Sequence, residues 1–283
     1  MQAQRAAGAQ SPITTVGENA PIIGRNPVKE AIEDWLITRC MAILGGGVSG
    51  GGLQNVSEEL GKPPSSVTNQ YVAPNFADPW PDEIGSATMS ISGLTTSTIN
   101  GDTFVSGDGS SDYGTASSEN IGAQTTYGLA FTFKASSSNV SDFDTMIGTA
   151  GPNFNYATRF RVYQNEMEAS WRENGNKISV TGGTIADGSV HTVIVNKTGD
   201  TAGDFEIYVD DMSSDVSSIR TDDGGLDSSN YSHTGDYGFW VVNQGSGSDI
   251  SDHIQADMAT IEIGTEPYSE SQRHDFRSRR PEV

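Results

Sequence analysis

The sequence predicts a mostly β protein, an antiparallel two-sheet β-sandwich of the jelly-roll kind. A short N-terminal helical anchor and an extended linker precede it. Three observations predict this. Apolar and polar residues alternate over several short runs, most clearly where Tyr127, Leu129, Phe131 and Phe133 interleave with Gly128, Ala130, Thr132 and Lys134. A period of two is that of a strand with one buried face. Turn signals such as Asn174-Gly175 and Asp187-Gly188 separate the runs. A helical period of three and four appears ahead of the β-rich part, over 26–44.

In chain order, residues 1–25 are rich in Ala, Gly and Gln and read as an arm. Residues 26–62 form the helical anchor and its hinge. Asn26-Pro27 supplies an N-cap and a proline at the first helical position. Val28, Ile32, Trp35, Leu36 and Ile43 then recur at helical spacing. Ile37, Met41 and Leu44 widen the apolar face, and a helix apolar on most sides is a buried one. Packing against other subunits or against the C-terminal domain both satisfy it, and the five named residues are the candidate assembly contacts. The run 45–52, GGGVSGGG, contains G-x-G-x-x-G but follows a helix and precedes no alternating βαβ units, so it reads as a hinge rather than a dinucleotide site. Residues 63–85, with Pro63, Pro64, Pro74, Pro79 and Pro81, read as a stiff linker.

The sandwich is expected over 86–268. Met89 and Ile91 suggest its first strand, and Phe160 and Val162 alternate with Arg159, Arg161 and Tyr163. Met167, Ala169 and Trp171 alternate with Glu166, Glu168 and Arg172, and Tyr237, Phe239 and Val241 continue the pattern. A polar loop is expected over 212–233. The Arg-rich tail, 269–283, carries Arg273, Arg277, Arg279 and Arg280, and a basic tail on an acidic body docks on its own surface or a neighbour's, unless it is a disordered terminus.

The stretch 187–211 reads as a hairpin, with Val193 and Val195 on one strand and Phe205, Ile207 and Val209 on the next. Its residues Asp187, Gly188, His191, Val193, Val195, Tyr208, Val209 and Asp210 resemble the centre of laminin-G-like, concanavalin A-like jelly-roll domains. Val190 stands where many members have Trp, and Asp211 where Gly is usual. The resemblance implies the fold and leaves function open, because this fold hosts lectins, adhesins, glucanases and structural modules. It also implies a possible calcium at the sandwich rim. Candidate ligands are Asp108 and Asp112, Asp142 and Asp144, and Asp222, Asp223 and Asp227, with Asp249 and Asp252 in a further loop.

The formal charge is −21, from 37 acidic and 16 basic residues. Such a surface repels nucleic acid, whose binding needs clustered positive charge. Asp outnumbers Glu 22 to 15 and Lys is scarce, which resembles the surfaces of proteins from salt-loving organisms. One cysteine, Cys40, leaves no disulfide within the chain. The apolar run 35–44 is too short for a membrane span, which takes about 20 residues, and no Sec-type signal is read at the start. No catalytic motif emerges: no H-E-x-x-H, no G-x-S-x-G, and only Glu166 and Glu168 as a carboxylate pair, read as a solvated strand face. His191 reads as a core or edge histidine. A sugar platform would draw on Tyr113, Tyr156, Tyr231 or Trp240, although core packing is the simpler reading of Trp240.

The layout of anchor, hinge, linker and sandwich resembles virion appendages such as capsid turrets, decoration proteins and tail fibres. The expectation is therefore a non-enzymatic structural protein on the surface of a halophilic virus. It would form a homo-oligomer and meet other virion proteins through residues 1–80, and would display the sandwich for attachment to host-surface glycans. Possible calcium and no organic cofactor complete it. The second expectation is an exported cellular carbohydrate-binding or adhesion module; the third is a glycan-active hydrolase.

Overall fold

A computed structural model describes residues 63–116, 123–150, 156–224, 226–227, 229, 236–243 and 250–279. The expected arm, anchor helix and hinge, with Val28, Ile32, Trp35, Leu36 and Ile43, lie outside the described residues, as does Tyr231. The strands in chain order are β1 (Val67–Val72), β2 (Trp80–Pro81), β3 (Thr88–Ser92), β4 (Thr95–Ile99), β5 (Asp102–Ser106) and β6 (Tyr113–Ala116). Then come β7 (Tyr127–Ser136), β8 (Thr145–Ala150), β9 (Tyr156–Tyr163), β10 (Glu166–Glu173), β11 (Asn176–Thr184) and β12 (Asp187–Lys197). The last are β13 (Phe205–Val209), β14 (Ser218–Asp222), β15 (Tyr237–Phe239), β16 (Val242–Asn243), β17 (Ile250–Ser251) and β18 (Asp257–Gly264), followed by one helix, α1 (Glu270–Arg279).

They form the expected two-sheet sandwich. The first sheet runs β13-β12-β7-β18-β5-β4, with β1 also paired to β18. The second runs β14-β11-β10-β9-β8-β15-β6-β3-β2, with β16 and β17 alongside β8. Pairing is antiparallel apart from a single parallel contact of β16 with β8. Between the sheets lies one continuous core. Leu129, Phe131, Phe133, Val193, Val195, Ile207, Ile261 and Ile263 come from the first sheet, and Phe160, Val162, Met167, Trp171, Ile178, Val180, Tyr237 and Phe239 from the second. Each such side chain, fully withdrawn from water, contributes about 1.5–3 kcal/mol. The 187–211 hairpin is the β12–β13 pair, in register Val193↔Val209 and Val195↔Ile207.

Four expectations change. The proline-flanked segment 63–85 is not only a linker: Tyr71 enters the core, Val67 joins the apolar cluster on the outer face of the sheet across a register shift, β1 zips along β18, and Trp80 is fully buried. Prolines bracket these strands without interrupting the ladder. The 212–233 stretch contributes an edge strand, β14, paired with β11. β7 is buried on both faces, since Gly128, Ala130 and Thr132 are covered as well. The cause is the fourth change: the basic tail is a helix docked on the outside of the first sheet. Phe276 of α1 joins Ala130, Ile194, Tyr208, Met212 and Tyr268 in a second apolar cluster. Ser269 opens the helix with reciprocal bonds to Gln272, 2.8 and 3.5 Å, as a capping box does. Buried Asn196 fixes its approach by accepting the Tyr268 N–H at 2.8 Å and donating to the Tyr268 carbonyl at 3.0 Å.

Candidate functional site

The outer face of the second sheet carries the most unusual chemistry. Because Phe160 and Val162 point into the core, their neighbours Arg159, Arg161 and Tyr163 on β9 point out. On β10 the same alternation sends Glu168, Ser170 and Arg172 outward. The register then sets Arg161 opposite Glu168 and Arg159 opposite Ser170. Arg172 faces Lys177 of β11 across the Asn174-Gly175 turn. β14 brings Arg220 from the far edge. Arg159, Arg161, Arg172, Lys177 and Arg220, with Phe143 and Asp252, line a cavity of about 400 Å³. In a chain of net charge −21, five of the ten Lys and Arg among the described residues meet here.

Glu168 is the peg that gathers them. It is fully buried, and was expected to be solvated. Its Oε2 accepts from Arg161 Nε at 2.7 Å, and its Oε1 accepts from Arg220 at 2.8 Å with the Lys177 ammonium 3.5 Å away. Burial pushes its carboxyl up, but the Arg161, Lys177 and Arg220 cations overcome this and hold it below the usual range. Arg159 pairs with Asp252 at 3.2 Å. Burial first, then the neighbouring Arg161 cation, draw Arg159 down to about 10. Burial likewise lowers Lys177, with Glu168 opposing the shift and Arg161 and Arg220 adding to it. Like charges so close cost free energy, which the fold tolerates here.

An aromatic rim borders the cations. Phe143 is 39% exposed and sits at φ 80°, a left-handed conformation that bulky residues rarely adopt. Its ring lies 5.5 Å from that of Tyr163, with the Arg161 guanidinium 4.5 Å from the Phe143 centroid and that of Arg220 3.8 Å from the Tyr163 centroid. The loop bearing Phe143 is pinned on both sides. Asp142 accepts the Gln164 N–H at 2.7 Å, Asp144 accepts the Ser141 N–H at 2.7 Å, and Phe143 donates to the Val162 carbonyl at 2.8 Å.

The other expected site residues lie elsewhere. Trp240 is core: it is fully buried, donates Nε1 to the Ala256 carbonyl at 2.9 Å, and packs so closely on Gly107 that a Cβ there would stand 2.5 Å from its ring. Half-buried Tyr156 packs against the core, and Tyr113 meets His253 edge-on. None of the three lines the cavity. The candidate calcium ligands serve as backbone acceptors. Asp108 accepts from Ser110, Ser111 and Asp112, and these bonds, the Ser110 hydroxyl foremost, hold its carboxyl well below the usual range. Asp112 accepts from Asp108, Asp222 from Gly224, Asp223 from Lys177 and Asp227 from Ser229. Among the described residues no three His, Cys, Asp or Glu are grouped to hold a metal ion. His191 is clasped between Asp210, 2.7 Å from Nδ1, and Asp187, 2.9 Å from Nε2. Chiefly the Asp210 bond raises its pKa above 6.5.

The cavity residues were partly visible in the sequence. Arg159, Arg161 and Arg172 occupy the outward phase of their strands, a cue that they share a face. Nothing local placed Arg220 beside them.

No protein-family model and no curated protein sequence matches the chain. Solved structures do. The chain is similar to a structure of botulinum neurotoxin type C, a toxin whose cell entry is dependent upon interaction with two ganglioside molecules, with TM-score 0.55 and 14% identity over 76% of this chain. It is similar to a botulinum neurotoxin DC binding domain in complex with SialylT, with TM-score 0.52 and 14% identity. The chain spans about half the length of these toxin domains, 52% of each. It also matches 98% of domain 4 of an extracellular arabinanase of Geobacillus stearothermophilus, solved with arabinotriose, at TM-score 0.53 and 11% identity over 75% of this chain. The likeness is one of fold. Among the described residues no helix is long and apolar enough to cross a membrane.

Proposed function

We propose that the chain is a virion surface protein displaying a glycan-binding β-sandwich, with the outer-face cavity of the second sheet as the sugar site. The observation that carries this reading is the cavity itself. It joins a ring of N–H donors on rigid strands to an exposed aromatic, Phe143, backed by the half-buried ring of Tyr163 and held by a pinned loop. Sugars bind to such surfaces, stacking their C–H faces on aromatic rings and offering hydroxyls to planar donors. The ganglioside and arabinotriose ligands of proteins with this fold support it. The virion setting is supported by the sequence layout of apolar anchor, glycine hinge and acidic body.

On this reading Glu168, the central carboxylate, serves binding rather than hydrolysis. Glycoside cleavage needs one carboxyl kept protonated as the acid. Glu168 is instead held ionised beneath three cations.

A glycan array probed with the full chain tests the reading. Binding is expected, and Phe143→Ala is expected to weaken it about tenfold, the loss of one stacking contact, with an unchanged melting temperature. An array with no ligand overturns the glycan reading. Copurification with virus particles tests the setting; recovery only from cell envelopes would favour an exported adhesion module.

A further inference from the structure

We infer that a second hollow, at the rim of the first sheet, is a further subsite of the glycan site and holds one uncharged, hydroxyl-rich sugar residue. The inference rests on the glycan reading and adds the length of glycan that the site takes.

The hollow follows from the strands that end around it. Phe133 and Ala135 of β7 enter the core, so Lys134 and Ser136 point outward, beyond the stretch near Ala130 that α1 covers. Met258 of β18 enters the core, so Asp257 points outward too, directly across the ladder from Lys134. Asn139 and Gln255 border them from the adjoining loops. With Ser106, these residues line a hollow of about 190 Å³, about half the volume of the cavity on the second sheet and room for a single sugar ring.

Its chemistry is mixed. Ser97 and Ser106 both donate to Oδ1 of Asp257, the former at 2.9 Å, which fixes the carboxylate and leaves Oδ2 as an acceptor. Among the described residues the Lys134 ammonium has no ion-pair or hydrogen-bond partner, although it stands opposite that carboxylate. Asn139 accepts from Ser138 at 3.1 Å through Oδ1 and keeps Nδ2 as a donor, and the exposed Gln255 offers both halves of its amide. An anion would meet Asp257 here, and a cation would meet Lys134. A sugar hydroxyl donates one hydrogen bond and accepts others, so a neutral sugar satisfies both sides at once.

Two loops join the hollow to the cavity. Between β7 and β8, Asn139 lines the hollow and Phe143 the cavity. Between β17 and β18, Gln255 lines the hollow and Asp252 the cavity. Four residues of fully extended chain reach about 14 Å, so the Asn139 and Phe143 walls stand within the span of a short oligosaccharide. A glycan held in both gains affinity, because the second contact is made by a ligand already bound.

A titrated glycan array on the full chain tests the inference. Every pair of glycans that differs only by neutral units is compared. Among them are lactose with lacto-N-neotetraose, sialyllactose with sialyl-lacto-N-neotetraose, and arabinobiose with arabinotetraose. In at least one pair the longer member is expected to bind about tenfold more tightly, the worth of one or two hydrogen bonds to a neutral ligand. Lys134→Ala/Gln255→Ala is expected to erase that gain and to leave the shorter member unchanged. Gln255→Trp, which fills the hollow from a position outside the strands, should do the same, and both variants should keep the wild-type melting temperature. In Phe143→Ala, by contrast, short and long members should weaken together. Equal affinities within every pair, or a gain that survives either variant, overturns the inference and leaves the glycan module standing. An array silent throughout overturns both.

Discussion

The two outer faces of the sandwich use arginine in opposite ways. On the first sheet, α1 lies over Ala130, Ile194 and Tyr208, and its arginines are consumed by the fold. Arg273 donates to the carbonyls of Met212 and Tyr268 at 2.8 and 2.9 Å and lies 3.7 Å from the Tyr208 ring centroid. Arg277 reaches the Asp210 carbonyl, and Arg279 the buried Glu262. On the second sheet five cations and Asp252 line one cavity with Glu168 buried beneath, and among the described residues no helix packs over them. The covered face uses charge to attach a tail; the other gathers its cations around one cavity.

Three substitutions probe this contrast. Glu168→Gln should have the largest effect. Removing one partner of a buried ionic cluster leaves cations uncompensated, at a cost of about 3–5 kcal/mol, read from urea unfolding. If stability is unchanged, Glu168 is not the peg of the cavity face. Phe276→Ala should cost about 3 kcal/mol, at the lower end for a buried phenylalanine because the cluster is peripheral. It should leave glycan affinity intact. A parallel loss of affinity would mean that the faces are coupled.

The smallest effect is that of pH, and it has opposite signs on the two sides. His191 is clasped by Asp210, whose carbonyl receives Arg277 of α1. Its pKa is raised in the fold, so its contribution is complete below 6.5 and is lost as pH climbs through the folded value. Glu168 is lowered, so its contribution is present above 4.5 and is lost as pH falls through the folded value. Urea midpoints across pH should therefore fall at the alkaline end in wild type but not in His191→Gln, and the acid-end loss should shrink in Glu168→Gln. An alkaline limb that survives in His191→Gln would remove the histidine from the account.

The legible parts of the fold were those where one strand carries its own signal. Tyr127, Leu129, Phe131 and Phe133 alternate strongly enough to declare β7, and Asp187-Gly188 with Val193 and Val195 declares β12. β1 escaped because Val67, Asn69 and Tyr71 alternate amid prolines, and its partner β18 lies far along the chain. Trp240 illustrates the converse. Core packing is already the simpler reading of its sequence, and the structure adds the partners, the Ala256 carbonyl and Gly107. For the site, Arg159, Arg161 and Arg172 are readable as a shared face, whereas Glu168 reads as solvated and is in fact buried. The cavity itself was not legible, because Lys177 and Arg220 arrive by the β10–β11 turn and the long-range β11–β14 pairing.

The pairing of β1 with β18 also bears on how the molecule is made. Thr68 donates to the Ile263 carbonyl across 195 positions, and β18 lies between β7 and both β1 and β5. Until β18 has left the ribosome, the first sheet lacks an interior strand and the flanks of β7, β5 and β1 stand unpaired. Closure must therefore follow synthesis of nearly the whole domain. Contacts so distant in sequence form slowly, and the nascent chain carries open sheet edges for that interval, which is when its dense negative charge is most useful in keeping neighbouring copies apart.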